Sequence, residues 1–209
     1  RLAPALFPLG DAPSAHYLHV SRMALGGPSC AYRGLDEQNA AIAFLPAASR
    51  DIHDLCRVFG LTLDPLLPFL KKSRLSPDDT LSRFHAGWDP ENGEKFKRML
   101  TDTGLQEEIR KQTRASNEAL QSYLAQEHFF EQPDVGLVDI GWLGTIQRFL
   151  FQSVEHRKDH PRFHGFVFGL PGGFPFPATP DNRIEGFVYD QSRFDFCGSL
   201  IMYARDLFE

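Results

Sequence analysis

Residues 135–154 read VGLVDIGWLGTIQRFLFQSV, and this stretch decides the fold. Val135, Leu137, Val138 and Ile140 make a short apolar run whose length and β-branched content predict a buried parallel strand. Asp139 interrupts the run almost at its end, and Gly141 and Gly144 bracket a tight turn. Ile146, Phe149, Leu150 and Val154 then follow at the i, i+3, i+4, i+8 spacing of an amphipathic helix. Strand, glycine turn and helix in that order predict an open α/β sheet. In such sheets ligands sit beyond the carboxyl ends of the strands, where helix N-termini present unpaired N–H groups and a partial positive charge. Asp139 is expected to project into that crevice. Thr145, in the first helical turn, offers its hydroxyl either as a helix cap or to a ligand. A carboxylate there repels a bare phosphate, so it points to a metal, a protonated ligand or a hydroxyl-rich one; hard oxygen ligands at a phosphate site point to magnesium. The plainer alternative is that Asp139 caps the following helix.

Composition bounds what the rest can be. The chain has 209 residues, enough for one domain with a sizeable core, and 42% hydrophobic and 23% charged residues are ordinary for a globular protein. A net charge of -5 argues against nucleic acid as a partner, because duplex binders place Lys and Arg against phosphates. No apolar run approaches the roughly 18 residues of a membrane span, so no span is expected. Cys30, Cys56 and Cys197 are far apart and odd in number, which fits a reducing, cytoplasmic setting rather than a disulfide framework or a zinc site.

Upstream, HYLHV at 16–20 alternates like a strand and is followed directly by Ser21 and Arg22. A hydroxyl and a guanidinium at a strand end form an anion-binding pair, or else a helix cap and a surface arginine. Gly26, Gly27 and Pro28 break residues 23–45, of which 40–45 read as either helix or strand. Ile52, Leu55, Cys56 and Phe59 recur at helical spacing, and Gly60 stands where that helix stops. Pro65 and Pro68 divide 61–75 into two short helical turns, and Ser76-Pro77-Asp78 resembles another helix start. A mixed-charge helix is expected at 94–100. Thr103 and Gln106 have capping-box spacing at the head of a long helix whose Ile109, Thr113, Leu120, Tyr123 and Leu124 share a face. Strands are expected at 163–170 and 184–189, and a closing helix at 199–208. His156, His160 and His164 fall four apart, but Pro161 stands between them, so they are not read as a metal site.

Two pieces, YLHVSRMAL at 17–25 and LVDIGWLGTIQRFL at 137–150, in this order and separated by a helical region, resemble a bacterial group of predicted hydrolases of the haloacid dehalogenase (HAD) superfamily. Members of that group are often encoded in, or fused to, surface-polysaccharide glycosyltransferases. FGL at 168–170 and the terminal DLFE add to the likeness. The resemblance implies a HAD-like doubly wound, mostly parallel sheet with a helical, cap-like insertion. The expected division is 1–50 for the start of the α/β core, 51–130 for the insertion and 131–209 for the core continued. It also implies magnesium-dependent phosphoryl transfer on a small, sugar-like phosphate. Ser21 matches the hydroxyl that holds phosphoryl oxygens, and Asp139 matches the metal-holding acid. Arg22, Gly141 and Thr145 join them as substrate-binding candidates. The cationic residue of the pattern has four candidates, Arg22, Arg110, Lys111 and Arg114. The nucleophilic aspartate, at the end of a D-x-D strand, has no match. Asp11 follows Gly10 in a loop, so the first core strand and its nucleophile are missing from the sequence: either they precede Arg1, or the chain is a degenerate member with a rearranged sheet.

Three functions compete. The first is a HAD-type phosphohydrolase or phosphotransferase. The second is an inactive HAD-like binding or scaffold module attached to a glycosyltransferase domain in the same chain. The third is nucleotide binding at the 141–145 turn, which lacks a GxGxxG fingerprint.

Overall fold

A computed structural model describes residues 15–43, 49–83, 87–170, 176 and 178–190. It is a mixed α/β structure. Three parallel strands, β4 (Asp134–Asp139), β5 (Arg162–Leu170) and β6 (Asn182–Asp190), lie in the order β4-β5-β6. The register pairs Val138 with Phe166 and Phe166 with Glu185, and it shifts between Val167 and Gly169. A smaller antiparallel sheet joins β1 (Ser49–Arg50), β2 (Ser82–Arg83) and β3 (Gly87–Trp88).

Seven α-helices are described: α1 (Arg22–Cys30), α2 (Glu37–Ala43), α3 (Ile52–Phe59), α4 (Leu67–Lys72), α5 (Asn92–Leu100), α6 (Thr103–Gln126) and α7 (Thr145–Val154). The helix expected from Ile52, Leu55, Cys56 and Phe59 is α3; Asp51 and Asp54 form a capping box at its start, and Gly60 ends it. The two turns expected over 61–75 are a 3-10 turn at Asp64–Leu66 and α4. The expected closing helix at 199–208 lies outside the described residues.

Helix α1 is where sequence and structure part most clearly. RMALGGPSC forms nine helical residues in spite of two glycines and a proline, each of which weakens an isolated helix. Tertiary contact outweighs propensity. A Cβ on Gly26 would collide with the Val58 carbonyl oxygen, and one on Gly27 would meet the Phe59 carbonyl at 2.9 Å and the Ser116 hydroxyl at 3.1 Å. The glycines thus let α1 lie against the end of α3 and against α6 at backbone distance. Asn117, buried on α6, donates from Nδ2 to the carbonyls of Pro28 (3.0 Å) and Ser153 (2.9 Å), joining the carboxyl ends of α1 and α7 to the body of α6.

Other expectations are corrected. HYLHV is not a strand: residues 16–20 run without ladder bonds, Leu18 and Val20 pack against the core, and the His19 N–H donates to the Tyr123 hydroxyl at 2.8 Å. Ser76-Pro77-Asp78 makes a turn whose Pro77 carbonyl accepts from the Ile52 N–H at 3.2 Å. The cap of α6 is Asp102, which accepts from Gly104 and Leu105. Gln106 instead bridges to the Leu35 and Leu100 carbonyls.

One apolar cluster runs from Leu25 on α1 through Phe59, Phe96 and Ile109 to Phe149 and Phe163. Burial drives both described thiols up, Cys30 to about 12 and Cys56 to about 11, so at neutral pH they are protonated. Two measurements follow. In urea titration, Gly26→Ala is expected to lose about 1–3 kcal/mol, as overpacked sites do. Gly136→Ala, whose Cβ would meet nothing within 4 Å, is expected to stay near wild type. Ellman's reagent at pH 8 is expected to leave Cys30 and Cys56 unmodified in the folded protein and to modify both after denaturation.

Candidate functional site

The site candidates gather around the carboxyl end of β4. Along that strand Val135 and Leu137 turn toward the helical layer and pack on the core, and Asp139, two residues further on, faces the same way. Its Oδ1 accepts the Gly141 N–H at 2.8 Å, a bond that closes the turn. Oδ2 is left without a hydrogen-bond partner among the described residues. Asp139 therefore caps its own turn and not the helix. The N-cap of α7 is Gly144, in the left-handed conformation at φ +62°, with no side-chain cap. A side chain there would meet the terminal methyl of Ile184 of β6, which can shift, and it is the left-handed backbone that favours glycine.

Thr145, expected either to cap α7 or to face a ligand, is the first residue of the helix and makes no capping bond. Its hydroxyl has no hydrogen-bond partner among the described residues. Among the described residues the carboxyl end of β4 thus presents one unpartnered carboxylate oxygen, one unpartnered hydroxyl and the first-turn N–H groups of a helix without a side-chain cap.

Ser21 occupies the N-cap of α1, where its Oγ accepts the Ala24 N–H at 3.1 Å. Arg22, half-buried, lies near Arg50, and burial together with that neighbouring guanidinium lowers its pKa. No hydrogen bond joins Ser21 to Asp139 among the described residues. The two are nonetheless related through their helices. The carboxyl ends of α1 and α7 adjoin, tied by Asn117, by the Arg33–Glu155 ion pair at 2.6 Å and by Tyr32 stacked on His156 at 3.7 Å. The helices pack along one another from that shared end, so both N-termini point toward the end of the molecule where β4 stops.

Arg110, Lys111 and Arg114 all stand on α6 and line an open surface groove with Glu107. The charged residue missed in the sequence is Arg148. Only 2% exposed on α7, it donates from Nε to Asn39 Oδ1 at 2.8 Å and from Nη2 to Gln38 Oε1 at 3.0 Å, with Asp36 at 4.0 Å. Burial lowers its pKa, opposed by Asp36. Its signal in the sequence is its place between Ile146 and Phe149, where a charge interrupts an apolar helix. The three histidines have separate settings: His156 on Tyr32, His160 against Phe151, and His164 donating from Nε2 to Asp134 Oδ1 at 2.9 Å.

Among the described residues no group of three or more His, Cys, Asp or Glu is placed to hold a metal ion. Magnesium at a phosphate site takes one or two carboxylates together with substrate oxygens. Asp139 supplies one such oxygen. No described helix is long and apolar enough to cross a membrane. Compared with known proteins, the chain matches no family model, and no curated protein is similar enough to count as a relative.

Ser21→Ala is expected to lower stability by about 1 kcal/mol through loss of the cap, and Ser21→Asp to keep it. Asp139→Asn still offers an oxygen to the Gly141 N–H and is expected to stay within about 0.5 kcal/mol of wild type. Urea midpoints at constant slope check both.

Proposed function

We propose that this chain carries the larger part of a HAD-like phosphoryl-transfer domain acting on a small phosphorylated metabolite, a sugar phosphate by preference. The observation that carries the reading is the carboxyl end of β4: a carboxylate oxygen and a hydroxyl with no hydrogen-bond partner among the described residues, beside an uncapped helix N-terminus, at the end of a parallel strand. In this reading Asp139 is the acid that faces magnesium, and Gly141 and Thr145 border the phosphate. Ser21 and Arg22 approach from the N-terminal end of α1. The strand with the nucleophilic aspartate pairs along the edge of β4 that faces away from β5, which has no neighbour among the described residues. A strand docked there would bring its own carboxylates beside Asp139 and complete the metal-binding set.

The second reading, a HAD-like binding or scaffold module attached to a glycosyltransferase, is favoured by one feature. Ser21 Oγ and Asp139 Oδ1 are already engaged by the backbone of their own turns.

Hydrolysis of p-nitrophenyl phosphate with magnesium separates them. The 209-residue chain is expected to show no turnover above buffer. A longer natural chain that includes an upstream D-x-D strand is expected to turn over, and Asp139→Asn in that chain to lose at least roughly 10²-fold, the scale of a lost charge-stabilising group. Turnover by the 209-residue chain that Asp139→Asn abolishes would refute the inactivity expected of this piece. A longer chain without turnover gives the scaffold reading the lead.

A further inference from the structure

The turn between β4 and α7 carries an aromatic side chain whose task the fold does not account for. Trp142 is half-buried, and the six-membered ring of its indole rests on Gly169, near the end of β5, where a Cβ would collide with Cε3 and Cζ3. Phe168 meets the indole edge-on, with ring centroids 5.5 Å apart. A tryptophan present only for packing buries its ring and finds a partner for its N–H. The Trp142 N–H has no hydrogen-bond partner among the described residues, and the residue stays partly open to solvent.

The sheet register gives its place relative to Asp139. Asp139 pairs with Val167, and Gly169 lies two residues further along β5, so the indole stands roughly 7 Å beyond the carboxylate in the strand direction. A second ring borders the same turn. Phe176, half-buried, lies over Gly144, where a Cβ would stand 3.2 Å from its Cδ2. Past the end of β4 the surface thus changes character. The Asp139 and Thr145 oxygens, unpartnered among the described residues, give way to two aromatic rings and one N–H donor. A ligand that suits both parts has a polar, metal-binding end and, next to it, a ring with an apolar face and a hydroxyl edge.

We propose that Trp142 is the platform for the sugar ring of a hexose phosphate, its C–H face against the indole and one hydroxyl accepting the indole N–H. Asp139 and Thr145 are then left to the phosphoryl end. A sugar hydroxyl both donates and accepts, so it satisfies the lone N–H and still bonds to water, and the C–H face of a pyranose is flat enough to lie on an aromatic ring. Spacing favours a hexose over a nucleobase. In a hexose phosphate the ring follows the phosphoryl group directly through its ester link, at the level where the indole stands. In a nucleotide a ribose intervenes, and the base falls past it. Trp142 would thereby select the ligand without taking part in the chemistry. The assignment rests on the phosphoryl-transfer reading of this site and adds to it the residue that recognises the rest of the ligand.

Tryptophan fluorescence of the 209-residue chain tests it. Trp88 and Trp142 are its two tryptophans, so Trp88→Phe leaves the emission to Trp142. The probes, each with magnesium, are the 1- and 6-phosphates of glucose, galactose and mannose, with inorganic phosphate and adenosine monophosphate beside them. A saturable change is expected with at least one hexose phosphate and none with inorganic phosphate. By isothermal titration, Trp142→Ala is expected to weaken that binding by roughly tenfold or more, the scale of a stacking contact. Trp142→Phe, which keeps a ring and loses the N–H, is expected to fall between. Gly169→Ala, which displaces the indole, is expected to act like Trp142→Ala; should it fail to fold, the two Trp142 variants carry the test. No response to any hexose phosphate up to about 10 mM, where even millimolar affinity would show, overturns the proposal. So does an equal response to inorganic phosphate, a larger one to adenosine monophosphate, or binding that Trp142→Ala leaves unchanged. Hydrolysis of p-nitrophenyl phosphate by the longer chain reports on the chemistry separately: turnover there without a hexose-phosphate response here removes the platform alone.

Discussion

Helix α7 is buried on every side from Gln147 to Val154, and its polar side chains therefore dictate what surrounds it. A buried polar group without a partner costs about 1–3 kcal/mol, and α7 carries four such residues. Gln147 reaches Asn182 and the Arg183 carbonyl of β6; Arg148 and Gln152 both hold Asn39 of α2; Ser153 bonds back to Phe149, and its own carbonyl receives Asn117 of α6. Apart from the Ser153–Phe149 bond, which stays within the helix, these bonds fix three neighbours, β6, α2 and α6. The sheet, the short α2 helix and the long α6 helix are thereby held in register around one ten-residue element. The glycine pair on α1 completes the arrangement by letting a fourth helix in at backbone distance.

This dependence explains which elements could be read from sequence. Helix α3 was legible because its four apolar residues and its terminal glycine are local signals, and the structure uses them locally. Helix α1 was not, because Gly26, Gly27 and Pro28 read as breakers until Val58, Phe59 and Asn117 are known to lie against them. The alternation in HYLHV is likewise real, but Leu18 and Val20 meet the helical core instead of a neighbouring strand. The small β1-β2-β3 sheet has two residues per strand, too few to make a periodic signal.

At the site the same division holds. Asp139, Gly141 and Gly144 were visible because a charge and two glycines interrupt an apolar run, and the structure gives each a distinct task in the turn. Thr145 was legible as a polar residue in the first turn but not in its role, because capping by a left-handed glycine leaves no trace in spacing. Arg148 escaped because a helix that looks amphipathic is taken to have a wet side. Here the side expected to be wet faces α2, and the arginine is satisfied by amides.

The outward face of the sheet links fold to function. Val138 and Asp139 are adjacent in sequence and point to opposite faces, so the strand that aims the carboxylate at the α7 turn necessarily turns an apolar residue the other way. Whatever holds Val138 also holds the pleat of β4, and through it the direction of Asp139.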